Sequence, residues 1–75
     1  MAEHEFILVI HARRRPVVVN GVPRGYTNQT IMVPRGAHKV TLGEPTDYRP
    51  AFRRAVVRNT TPAAPHFLMF SASGE

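Results

Sequence analysis

Proline and glycine set the limits of this chain. They cluster at 21–25, 34–36, 43–50 and 62–65 of a 75-residue sequence, and each cluster interrupts the pattern before it. They leave no apolar-periodic window long enough for a helix. The intervening segments are short, rich in β-branched and aromatic residues, and partly alternating, which predicts an all-β chain. Strands are expected over 5–11, 15–20, 30–33, 38–42, 52–58 and 66–70. Loops are expected at 22–26, 43–50 and 59–65, with a polar tail at 71–75 that frays. About six or seven short strands and no helix describe one small β-sandwich or open barrel spanning 1–75.

Within these strands the side chains already suggest sides. The uninterrupted apolar run Phe6, Ile7, Leu8, Val9 and Ile10 suggests burial on both faces or a central position. Val17, Val18 and Val19 run into Asn20-Gly21, a pair that tolerates positive φ and ends a strand. Lys39 and Thr41 alternate with Val40 and Leu42, so the first two should face water and the others the core, with His38 on the inward side. In 52–58, Phe52 and Val56 share a face with Arg54, and Ala55 and Val57 share the other with Arg53. Neither face is clean, which puts this strand at or near an edge, where arginine discourages pairing with other chains.

Composition removes whole classes of function. The chain has no cysteine, so disulfide staples, thiolate metal sites and cysteine nucleophiles are excluded. A domain this small buries only about 60% of its unfolded surface, so nearly every apolar side chain is needed for the core and little remains to line a deep pocket. Phe6, Phe52, Phe67 and Phe70 are assigned to that core. Residues 1–5 carry two acids instead of a basic leader, and the run 6–10 is too short for a signal core or a membrane span, so the expected location is the cytoplasm.

The stretch from Val17 to Tyr48 resembles the PEGA domain, a small β-sandwich module of prokaryotic proteins. The matching positions are the alternating Val17 and Val19, the Asn20-Gly21 turn, Gly25-Tyr26-Thr27, the inward Ile31 and Val33, Gly36-Ala37-His38, and the alternating Val40 and Leu42. No gap is needed from Val17 to Leu42. The chain departs from the pattern in having Ala12-Arg13-Arg14-Arg15 where the naming tetrapeptide would stand, Asn28 after the threonine, and Asp47 before Tyr48. The resemblance implies an immunoglobulin-like sandwich and an accessory, non-catalytic module. It also implies a structural role for His38, whose ring would hydrogen-bond a neighbouring turn. It brings no catalytic residues.

Charge is the main functional signal. Ten Lys and Arg against five Asp and Glu give a formal net charge of +5, which favours an acidic partner or serves solubility. Arg13, Arg14 and Arg15, with Arg49, Arg53, Arg54 and Arg58, could form a phosphate-neutralising patch, but only Tyr26 and Tyr48 lie in loops where a base could stack. The four histidines, His4, His11, His38 and His66, are never closer than seven residues apart and have no acid at ligand spacing, so no metal site and no cofactor is expected. Glu44 and Asp47 share an exposed loop with nothing to split their protonation states, and no Ser-His-Asp pattern is present, so the chain is not expected to be an enzyme. The expected function is that of a binding or interaction module for a protein or an envelope polysaccharide. It would act through loops and a sheet edge, with Arg13, Arg14, Arg15, Tyr26, Tyr48 and Arg49 as contacts. Another protein or a second copy is the expected partner, and a small basic nucleic-acid-binding domain is the alternative.

Overall fold

The computed structural model describes residues 4–72. The chain is all-β, with strands β1 (His4–Ile10), β2 (Pro16–Val19), β3 (Val22–Tyr26), β4 (Thr30–Pro34), β5 (Gly36–Thr41), β6 (Tyr48–Arg49), β7 (Arg53–Val57), β8 (His66–Met69) and β9 (Ser71–Ala72). One sheet has the order β4-β1-β8, a second β3-β2-β5-β7, and a short pair β6-β9 closes one end. β1 runs antiparallel to β4 and parallel to β8. Ile7, Val9, Ile31, Val33 and Leu68 from the first sheet meet Val17, Val19, Val40, Ala55 and Val57 from the second in one buried cluster, completed by Leu42, Tyr48 and Phe70. Two sheets enclosing one core make a small β-sandwich.

The expected alternations hold. Val17, Val19, Val40 and Leu42 are buried, Lys39 faces water, and β7 is the edge of its sheet. Asn20 and Gly21 both take positive φ, 52° and 84°, in the two-residue turn that pairs Val19 with Val22. His38 is buried, and its Nε2 lies 2.6 Å from the carbonyl oxygen of Pro34. Its Nδ1 accepts from the Asn20 side-chain amide, whose oxygen in turn accepts the Lys39 N–H. The ring therefore ties two turns together.

Four expectations are corrected. Residues 22–26 form a strand: β3 lies at an edge, where Pro23 needs no inter-strand N–H and the register shift between Val17 and Val18 absorbs the irregularity. Ser71 and Ala72 pair with Arg49 and Tyr48, so the frayed tail can begin only after them, and 73–75 lies outside the described residues. Of the four phenylalanines assigned to the core, only Phe70 belongs to it, while Phe52 and Phe67 are exposed and Phe6 is half-buried. Strand parity decides this: Leu68 and Phe70 point inward, which turns Phe67 and Met69 out. Tyr48 joins the core, with its ring edge-on to Phe70 at 5.5 Å.

Candidate functional site

The arginine loop after β1 is held by Thr27, whose side chain is buried. The Thr27 hydroxyl donates to the Arg13 carbonyl at 2.7 Å and accepts the Arg15 N–H at 2.9 Å, while its own N–H donates to the Arg15 carbonyl. Gly25, two residues earlier, lets this segment approach β4: a Cβ there would lie 3.0 Å from Ile31 Cγ1. The Gly25-Tyr26-Thr27 motif thus fixes where the three arginines leave the sandwich.

The three arginines then diverge. Arg13 and Arg14 are exposed, and the Arg14 guanidinium lies over the exposed Tyr26 ring at 4.1 Å. Arg15 turns inward, with its side chain 11% exposed. It donates to Asp47 and to the carbonyls of Leu42 and Pro45, and its guanidinium lies 5.3 Å from the Tyr48 ring centroid. The Arg15 hydrogen bond and charge hold the Asp47 carboxyl below its ordinary range against the opposing effect of burial. The Tyr48 hydroxyl donates to the Gly43 carbonyl and accepts the Leu42 N–H. Arg15 and Tyr48 are therefore corrected from free surface contacts to braces of the 43–47 loop, which ends at β6 instead of running on to 50 as expected. Arg49 remains exposed on β6.

Other cations have partners of their own. Arg54 lies on the outward side of β7, opposite Lys39 of β5, with both cations over the Phe52 ring at 5.5 and 4.8 Å. The Arg53 Nε donates to the Met69 carbonyl at 2.6 Å. At the start of β1, the buried Glu5 accepts from both the hydroxyl and the N–H of Thr60 and from Arg35. Those bonds, with Thr60 first, hold the Glu5 carboxyl below its ordinary range despite desolvation. Among the described residues no group of three or more His, Asp or Glu is placed to hold a metal ion, and no helix is long and apolar enough to cross a membrane.

A surface feature outside the expected loop contacts lies on the three-stranded sheet. On the outer side of β4-β1-β8, strand pairing aligns Phe6 with Met32, Leu8 with Thr30 and Phe67, and Ile10 with Met69. Met32, Phe67 and Met69 are 53, 58 and 59% exposed. They form a continuous apolar face with Phe6, Leu8 and Ile10, which are half-buried. Its sequence signal is the apolar run 6–10, which gives β1 apolar residues on both sides. No protein-family model, curated protein or solved structure matches this chain.

Proposed function

We propose that this chain is a non-catalytic interaction module whose principal contact surface is the outward side of β4-β1-β8. The observation that carries this reading is the exposed row of Met32, Phe67 and Met69 beside Phe6, Leu8 and Ile10. Isolated apolar side chains on a surface are ordinary, but a contiguous apolar patch on one sheet face is often functional. The register shared with PEGA domains from Val17 to Leu42 supports an accessory module of this kind. Binding of an environment-sensitive hydrophobic dye to the native chain tests it. Dye fluorescence should fall severalfold in Phe67→Ser/Met69→Thr with the melting temperature unchanged, and equal fluorescence in that variant would reject the face as the contact surface.

A second reading, contact with nucleic-acid phosphates, draws on the facing Lys39 and Arg54 around Phe52 and on the Arg14–Tyr26 pair. It requires an electrophoretic shift of single- or double-stranded nucleic acid that weakens steeply as salt rises. A salt-insensitive shift, or none, would sink it.

A further inference from the structure

Building on the interaction face just proposed, we infer that its occupant is one acidic amphipathic helix of about three turns. Size is the first argument. Strand spacing and rise make the face about 10 Å across from β4 to β8 and about 13 Å along β1 from Phe6 to Ile10. Its diagonal, about 16 Å, matches roughly eleven residues of helix, and its width matches one helix diameter. A footprint of these dimensions is well below the roughly 800 Å² that each partner contributes to a standard interface between globular proteins. It suits a single helix laid on a sheet, the ordinary way to cover such a face. Strand addition would use the edges, and the exposed apolar groups stand on the face itself.

Charge is the second argument. His4 and Arg24 line a hollow with Met32 at one corner of the face, and Arg53 sits against Met69, at the diagonally opposite corner by strand register. Of the three described acids, Glu5 and Asp47 are engaged by Arg35 and Arg15, which leaves the exposed Glu44 as the one without an ion pair. A second copy of a +5 chain would bring like charge to like, whereas a helix with Glu or Asp flanking its apolar stripe would meet a cation at each end of the diagonal.

The test is fluorescence anisotropy of labelled peptides of about sixteen residues with the full chain, at low and high salt. One peptide is a leucine-striped helix flanked by glutamate, the second its lysine-flanked counterpart, and the third a scrambled acidic sequence. The glutamate helix should bind at least about tenfold more tightly than either of the others, and more weakly at high salt. Phe67→Asp, or the milder Phe67→Ser should the first fail to fold, should abolish binding. Arg24→Glu/Arg53→Glu should weaken it severalfold and flatten the salt dependence. Equal binding of the lysine helix, with loss in the Phe67 variants, overturns the acidic partner while leaving the face intact. Equal binding of the scrambled peptide reduces the effect to bulk charge and also overturns the proposal. A sedimentation dimer that dissociates in Phe67→Ser overturns it in favour of a second copy. Peptide and dye binding that both ignore Phe67 overturn this inference and the interaction face together.

Discussion

The outer side of β4-β1-β8 pairs Phe6 with Met32 and Ile10 with Met69, whereas the outer side of β3-β2-β5-β7 pairs Ala37 with Val56 and Lys39 with Arg54. Both sheets bury the same kind of inward residue, β-branched and aliphatic, so the core does not explain the difference. The four-stranded sheet separates itself from other proteins by charge, with the exposed rings Tyr26 on β3 and Phe52 beside β7 each lying under a cation. Among the described residues no cation lies over a ring of the three-stranded sheet. An apolar face on a chain rich in cations agrees with the contact role proposed above, because a single lysine at Phe67 or Met69 would interrupt it.

Changes that cross from the inward to the outward side of one strand test this difference most strongly. Leu68→Ala, in the core, should cost about 2–5 kcal/mol in chemical denaturation. Phe67→Ala, one residue away on the outer face, should cost well under half as much, and similar losses would mean that Phe67 is already covered in solution. Next in size is Thr27→Val, which leaves the Arg15 N–H and Arg13 carbonyl without their side-chain partner. It should cost about 1–3 kcal/mol in the same measurement and leave dye binding to the apolar face unchanged.

Acid isolates the ends of the sandwich from both faces. Glu5 and Asp47 have carboxyls held below their ordinary values in the folded chain, so on acidification the unfolded chain takes up these protons first. Their stabilising effect is complete above the ordinary carboxylate range near about pH 4 and is lost as pH falls through the lowered folded values. The melting temperature should drop over that window, and Glu5→Gln/Asp47→Asn should flatten the drop, while an unaltered profile would move the acid sensitivity elsewhere. Smallest of all is Lys39→Glu, which turns a like-charge pair with Arg54 into an opposite-charge one. It should raise stability by about 0.2–1 kcal/mol, and a loss instead would show that the Lys39–Phe52 contact outweighs the repulsion.

The parts of this molecule visible in its sequence are those in which neighbouring residues inform each other. Val17 and Val19, Ile31 and Val33, and Val40 and Leu42 each alternate within their own strand, and the side taken by these residues, with His38, follows from that alternation. Tyr48 had no such neighbours. A lone tyrosine among prolines reads as an exposed anchor until β9 returns beside it and Phe70 supplies a packing surface. Arg15 was hidden in the same way, since three identical arginines carry no sign of which one turns inward, and the answer lies in Asp47 and two carbonyls some thirty residues away. The outer face was half visible: the run 6–10 showed that β1 has two apolar sides, but the partners Met32, Phe67 and Met69 come from strands whose register no local pattern specifies.

The position of β1 also bears on how the chain comes together in time. Its parallel neighbour is β8, the Phe6 N–H donates to Thr60, and the His11 ring lies 2.9 Å from the Phe70 carbonyl oxygen. β1 therefore completes its pairing only when residues some fifty to sixty positions later are in place. Loop closure over some sixty residues precedes the reward of pairing, which places this small domain among slow, topology-limited folders. On the ribosome, the edge of β1 that β8 covers would stay open until β8 emerges, although β4 can already pair with the other.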